Sequence, residues 1–580
     1  MVRLTFPTRE ALQRAPFRWA DVAVIIGTLG LLTLIALVGR TAFMPFEPPT
    51  VLPEPISLDV VNLPYYMGRS LLRMFIALLF SLLFTFTYGY LAAHSPRAER
   101  VLLPLLDILQ SVPVLGFLSV TLSFFIALFR GSLLGLEAVA IFAIFTSQVW
   151  NMTFSFYHSL RSVPRELREC ARVFRLSRWQ YFTRVEVPYA MLGLMWNTMM
   201  SFGGGWFFVA ASEAISVLNQ EYQLPGIGSY VAKAIEEANI TAIVAAIVAM
   251  GLMIVTVDQL VWRPLIAWAQ RFRNEQTEAK DTPNSWVLNL LRTSQLPKLI
   301  GAALEPSREF IDRLLSGTLR PKSLRMGKPP LMLPVWVDRL YDGILIAALL
   351  GGATMLLRFV LSEVPPWEIL QVCGLGLITL VRVIVLTAIS TLVWTPIGVA
   401  IGFNPRLSRL LQPVAQFLAS FPANFLFPFV TMLLIASGVS LDVGSIMLMA
   451  LGAQWYVLFN VIAGAQSIPS DLREMAANMR LRGWQLWERL IIPGVFPAWV
   501  TGGITASGGA WNASIVAEIV SWGDVTLRAT GLGAYITTAT QNGDWPRIVL
   551  GVAMMSLFVV GFNRLFWRRL YALSEQRYAL

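Results

Sequence analysis

Charge is what the chain has least of. Asp, Glu, Lys and Arg make up 14% of its 580 residues, against 56% hydrophobic residues. A soluble protein needs far more charge to cover its surface, so a water-exposed globule is set aside. Cysteine is nearly missing: Cys170 and Cys373 are too few for a disulfide scaffold or a cysteine-rich metal site. Histidine is as scarce. His94 and His158 stand near the ends of apolar stretches and read as interfacial residues, so no metal centre is expected. The net charge of +11 suggests nucleic acid in a soluble protein. Here the basic residues sit between hydrophobic runs, where membrane topology explains them better, and no nucleic-acid partner is expected.

What is there in quantity is long apolar sequence, with a mean hydropathy of +0.63. The runs are long enough to cross about 30 Å of hydrocarbon as helix. Six spans are predicted at 20–38, 69–93, 107–128, 133–157, 188–214 and 238–262, and six more at 340–360, 373–400, 412–437, 442–464, 493–519 and 545–567. The fold class is therefore an all-α polytopic membrane protein with about 12 transmembrane helices. The stretch Ala20–Val38 runs into GRTAFMPFEPP with no small-residue cleavage pattern, so it reads as a first membrane helix rather than a removed signal. Arg3, Arg9, Arg14 and Arg18 face a single Glu10 before it, which places the N-terminus in the cytoplasm. An even number of spans puts the C-terminus there too. The arginine-rich loop from His158 to Arg184 falls on the same side.

An internal repeat organises the chain. PRELRECARVFRLSRWQYFTRVEVP begins at Pro164 and PSDLREMAANMRLRGWQLWERLIIP at Pro469, 305 residues on. The register continues through Gly203-Gly204 and Gly508-Gly509, Trp206 and Trp511, Glu213 and Glu518, and GIGSY and GLGAY. Upstream it becomes 309, pairing Arg73 with Arg382 and Pro113 with Pro422. Each half is thus a copy of one fold, in the same orientation, around a pseudo-two-fold axis along the membrane normal. Residues 1–268 form the first repeat, 269–334 a cytoplasmic connector and 335–580 the second repeat. WVLNLLRTSQLPKLIGAALEPSREFIDRLL, within the connector, is either one or two amphipathic helices at the interface or a plain tether.

The repeated loop is the sharpest signal. Leu167, Ala171, Phe174 and Trp179 recur at near-helical spacing, as do Leu472, Ala476, Met479 and Trp484. A short helix there presents an apolar face rimmed by arginine, suited to a protein surface.

These segments resemble the coupling loop of permease subunits in binding-protein-dependent ABC importers. That pattern is E-A-A, three residues, G, nine residues, I, one residue, L-P. The first copy has Glu169-Cys170-Ala171, Arg175 at the glycine position, Val185, and Val187-Pro188; the second has Glu474-Met475-Ala476, Arg480, Leu490, and Ile492-Pro493. Arginine in place of glycine predicts that the helix continues where the family turns. LLPLLDILQSVPVLGF, SFGGGWFFVAASE and their second-half forms resemble the nitrate, sulfonate, taurine and bicarbonate branch of that family. The resemblance implies two fused ABC-importer permease repeats of six helices each. It implies two separate cytoplasmic ABC ATPase subunits that bind ATP and Mg, with a periplasmic substrate-binding protein as a further partner. It also implies a bacterial inner membrane, with lipid as solvent. Glu169, Ala171, Arg175, Glu474, Ala476 and Arg480 are then the coupling residues. No G-x-x-x-x-G-K-[S/T] phosphate loop occurs in the chain, so it is not expected to be an enzyme itself, and no cofactor is expected in it.

Candidate pathway residues are Arg73 and Arg382, which either guide an oxyanion or form structural salt bridges with Glu213 and Glu518. Trp206 and Trp511 either narrow the pathway or pack against neighbours. Asn512, with Asn197 and Gln148, introduces polar groups that one half carries and the other lacks. Pro113 and Pro422 are expected to break helices. The alternatives in other classes are an ion-coupled secondary transporter with two parallel repeats and an ABC-type exporter.

Overall fold

The computed structural model describes residues 19–39, 56–111, 114–129, 132–217, 220–272, 285–318 and 335–577. The first half runs α1 (Trp19–Gly39), α2 (Leu63–His94), α3 (Pro96–Ser111), α4 (Leu118–Leu128), α5 (Leu134–Arg161), α6 (Arg165–Val173), α7 (Arg178–Tyr181) and α8 (Val187–Glu213). A hairpin of β1 (Ala214–Val217) and β2 (Gln220–Gln223) follows, then α9 (Ile227–Glu236), α10 (Ile240–Val257) and α11 (Arg263–Ala269). The connector holds α12 (Trp286–Thr293) and α13 (Leu296–Thr318). The second half repeats the order: α14 (Val335–Leu361), α15 (Pro366–Phe403), α16 (Pro405–Ser420), α17 (Phe427–Ser437), α18 (Leu441–Ser467), α19 (Ser470–Asn478), α20 (Trp484–Leu486) and α21 (Ile492–Ala517). It closes with the hairpin of β3 (Ile519–Trp522) and β4 (Val525–Arg528), then α22 (Leu532–Asn542), α23 (Trp545–Phe562) and α24 (Arg568–Arg577).

Seven helical stretches among the described residues are long and apolar enough to cross a membrane: 60–94, 134–161, 240–272, 366–403, 441–467, 483–517 and 545–574. The chain is an all-α polytopic protein, with one detail the sequence did not announce and one it announced only through Pro113 and Pro422. One is the pair of antiparallel hairpins, with Ala214 opposite Gln223 and Ile519 opposite Arg528. The other is the third element of each half. Expected as continuous spans at 107–128 and 412–437, each is instead a helix, a 3₁₀ turn and a short helix. Pro422 explains the second break: Phe421 before it is extended (φ −73°, ψ 129°), because a proline disfavours the α region for its predecessor. Pro113 lies outside the described residues.

These broken elements knit the halves together. Leu118, Leu122 and Leu136 share one buried cluster with Trp511, Ile536 and Met555 of the second half. In return Phe425 is buried in the core of the first half, with Phe417 and Phe421 packed beside it. Within each half the long helices pack in order, α2 on α5 on α8 and α15 on α18 on α21. In lipid, close fit rather than transfer from water holds such helices together. Gly402 lies so near Ala465 that a Cβ on it would come within 2.6 Å of that methyl group.

Caps and turns set the ends. Asn239 accepts from Ala242 N at 3.1 Å to start α10, and Asp544 accepts from Arg547 N at 3.2 Å to start α23. Four π-helical turns recur in register: 182–186 with 487–491, and 258–262 with 563–567. The described residues 285–318 of the connector are helical rather than a bare tether, and they are anchored. The buried Asp21 of α1 accepts from Ser294 Oγ at 2.7 Å and from Gln295 N at 2.6 Å, between the two connector helices.

Candidate functional site

Three constellations bear on function: a buried ion node in each half, cavities between the halves, and the two repeated loops.

In the first node Arg73 Nη1 lies 2.5 Å from Glu213 Oε1, and its Nε 2.6 Å from Glu137 Oε2. Arg69 also pairs with Glu137. Ser70 Oγ donates to Glu213 at 2.6 Å and accepts from Ile227 N at 3.0 Å, while Gly228 N donates to Glu213 at 2.7 Å. In the second node Arg382 lies 2.8 Å from both Glu518 and Asp442. Thr379 Oγ1 donates to Glu518 at 2.9 Å and accepts from Leu532 N at 2.9 Å; Ala534 N donates to Glu518 at 3.0 Å. The repeated glycine motif now has its reason. A Cβ on Gly226 or Gly531 would overlap the glutamate carboxylate beside it.

Arg73, Arg382, Glu213 and Glu518 are all buried. A charge in such a place is tolerable only when paired and hydrogen-bonded. Of the two sequence readings for these arginines, the geometry matches the salt bridge. None of the four lines the three cavities described below, and each is tied within its own half.

The pathway candidates on α8 and α21 lie where the halves meet. Gly203 and Gly204 of α8 and Gly509 of α21 face one small cavity of about 100 Å³, with Tyr456 and Asn512 in its wall. A Cβ on Gly203 would press on Ser420 of the second half, 2.7 Å from its Oγ. Trp206 lines a larger cavity of about 410 Å³ against α16, and Trp511 its counterpart of about 280 Å³ against the turn after α3. Both tryptophans are buried. Asn512 accepts from Val114 N at 3.2 Å, a bond from the second half to the first. Asn197 lines an open polar vestibule of about 680 Å³ on α5 and α8. Gln148 is buried against Met74 and lines none of these spaces. Pro422 shapes the turn before α17 and does not line them either.

The loops overturn one expectation. The helices do not run on through Arg175 and Arg480. They end at Val173 and Asn478, and both arginines take the left-handed conformation, with φ of 48° and 54°. Leu176 N bonds Ala171 O at 3.0 Å and Arg175 N bonds Arg172 O at 2.9 Å; Leu481 N bonds Ala476 O and Arg480 N bonds Ala477 O, each at 3.0 Å. This is the paired-bond helix stop that usually takes glycine. The buried Ala171 and Ala476 seat it against the body, and two backbone bonds outweigh the strain of a side chain at positive φ. Glu169 and Glu474 point into solvent, unpaired among the described residues. Phe174, Met475, Met479 and Trp484 expose large apolar surface near them. The two loops differ in one respect. Trp179 Nε1 donates to Asp312 of α13 at 3.0 Å, and Arg184 lies 3.5 Å from the same carboxylate. Trp484, its counterpart, is 72% exposed.

Sequence reasoning missed Glu137 and Asp442, the second acids of the nodes. They stand 305 residues apart, acid for acid, and the repeat register was the signal that could have found them. It also missed Asp21 and Asp312, which have no repeat partner to mark them.

The family described as "binding-protein-dependent transport system inner membrane component" matches the chain twice, over residues 72–261 and 394–579. The chain is similar to the nitrate import permease protein of Leptolyngbya laminosa, 25% identical over 217 residues, covering 35% of this chain and 73% of that protein. It is 28% identical over 165 residues to the bicarbonate transport system permease protein of Synechococcus elongatus, covering 28% of this chain and 56% of that one. A putative aliphatic sulfonates transport permease protein of Bacillus subtilis is 27% identical over 177 residues, at 30% and 60% coverage. The chain thus spans little more than half the length of the bicarbonate and sulfonate relatives.

Proposed function

The chain belongs to the family of binding-protein-dependent transport system inner membrane components, and from that premise we propose that it is the whole membrane pathway of an ATP-driven importer for a small oxyanion. Its two repeats take the place of two separate permease subunits. Relatives named for nitrate, bicarbonate and aliphatic sulfonates supply the substrate class. Two cytoplasmic ATPase subunits, holding ATP and Mg, receive one repeated loop each. A substrate-binding protein delivers the anion to the opposite face.

In this reading Glu169 and Glu474 make charge-assisted bonds to the ATPase surface. Ala171, Ala476, Arg175 and Arg480 hold the turn that presents them. Closure of the ATPase dimer draws the two loops together and switches the pathway between its two openings. The observation that carries the proposal is the recurrence of one solvent-facing loop, turn for turn, with an unpaired glutamate at the same place in each half. An ion-coupled carrier has no use for such a pair. The direction of transport rests on the kinship with import permeases.

The test is ATP-driven uptake into proteoliposomes holding the chain with its co-purified ATPase subunits and binding protein. Nitrate, bicarbonate and ethanesulfonate are supplied in turn. Uptake of at least one of them that needs ATP supports the proposal. Purification free of any ATPase, with uptake driven by a proton or sodium gradient, overturns it.

A further inference from the structure

The two larger cavities between the halves are related by the repeat, yet their chemistry differs. The one on the first half is lined by Trp206 and Trp262, and also by Asp258, whose carboxylate lies 3.0 Å from Arg263 Nε. The one on the second half, about 280 Å³, is lined by Trp511 and Trp567, with Asn563 where the first half has Asp258. No Asp, Glu, Lys or Arg is among the described residues that line it.

Among its polar groups, two can only donate. The ring N–H groups of Trp511 and Trp567 are buried without a partner, and an indole can only donate. The Tyr456 hydroxyl and the Asn563 amide are unpaired among the described residues. Asn512 has committed its carbonyl oxygen to Val114 N at 3.2 Å, while its NH₂ reaches only Gly508 O at 3.4 Å. Unpaired buried donors are costly unless something accepts from them. The complement of such a set is a ligand rich in acceptors and poor in donors, and a small oxyanion is that ligand. The absence of a cation matters as well, because a transit site must release what it binds.

The side from which the anion would leave toward the cytoplasm is one-sided too. Asn151 lines both this cavity and the open vestibule of about 680 Å³, whose wall carries His158 and Arg161. In the repeat register the second half has Ala463 and Gln466 at those positions. At these two positions the first half alone carries basic side chains, and Arg161 there lies 3.8 Å from Glu99.

The geometry points to a single, off-axis oxyanion subsite walled by Trp511, Trp567, Tyr456, Asn512 and Asn563, with the related cavity around Asp258 left out of the path. This rests on the importer reading above and adds where in the pathway the anion is held.

The experiment is ATP-driven nitrate uptake by the full complex in proteoliposomes, with ethanesulfonate and bicarbonate in parallel. Asn563→Asp places in this cavity the residue that the first half already accommodates at the related position. Tyr456→Phe removes one donor and keeps the ring. A carboxylate facing a monoanion a few ångströms away predicts a fall in uptake of about tenfold for Asn563→Asp. Loss of one donor predicts about threefold to tenfold for Tyr456→Phe. Asp258→Asn is expected to stay within about twofold of the parent. Uptake by Asn563→Asp and Tyr456→Phe at the parent rate overturns the subsite while leaving the importer reading intact. An equal loss in Asp258→Asn overturns the claim that the site is single. If the parent complex moves none of the three anions, the importer reading falls and the subsite with it.

Discussion

The first half holds Arg73 between Glu137 and Glu213; the second holds Arg382 between Asp442 and Glu518, with a hydroxyl, Ser70 or Thr379, and one backbone N–H, of Gly228 or Ala534, donating to each glutamate. Away from these nodes the halves part. Asn512 stands where the first half has Phe207, and Asn563 where it has Asp258. One loop is tied to the connector by Asp312 and the other is bare. What both halves keep includes the buried ties within each half and the repeated solvent-facing loop. What only one half has lies at the cavities between the halves or on the repeated loops.

The nodes put the largest number on that contrast. Arg73→Met leaves Glu213 buried with no cation, a loss of about 3–5 kcal/mol. Arg382→Met is expected to cost less, because the Asp442 side chain it abandons is 48% exposed and can be hydrated. Thermal unfolding of the purified chain in detergent should place Arg73→Met well below Arg382→Met. Equal melting points would mean that the nodes are not graded by burial.

The tie between connector and loop comes next in size. Asp312→Ala removes the acceptor of Trp179 and a half-exposed ion pair with Arg184, worth about 1 kcal/mol together. Hydrogen exchange over residues 174–184 should then rise to the level of residues 479–489, while the second loop stays as it was. If the first loop exchanges no faster, α13 is not what steadies it.

Smallest is the effect at the turns. Arg175→Gly and Arg480→Gly relieve a side chain at positive φ and should each stabilise the folded chain by about 1 kcal/mol or less, offset in part by the freer unfolded chain. The two effects should match, since the two turns share one hydrogen-bond pattern. A clear loss at either would show that the arginine side chain itself holds the turn.

The repeat, the helical class and the repeated loops were legible because periodicity and register survive without coordinates. The breaks after α3 and α16 were legible only in part: Pro422 was expected to break its helix and does, yet hydropathy averages across a proline and sees one apolar run. The turn at Arg175 was misread for a physical reason. Glycine is only the easiest occupant of a left-handed position, and the backbone bonds from Leu176 and Arg175 keep the geometry without it. The hairpins and π-helical turns depend on how α8 and α10 end against their neighbours, which no local pattern encodes. The subsite residues lay within reach: Tyr456 matches Asn151 and Asn563 matches Asp258, polar in both halves within apolar surroundings.

The most direct measurement of the central claim, that the two repeated loops each couple to an ATPase subunit, is ATP hydrolysis by the reconstituted complex with and without transported anion. It compares the parent, Glu169→Ala, Glu474→Ala and the double variant. The account predicts that each single change weakens the anion-dependent rate and that the double change removes it, with the chain still folded. A double variant that hydrolyses ATP and transports like the parent would contradict it.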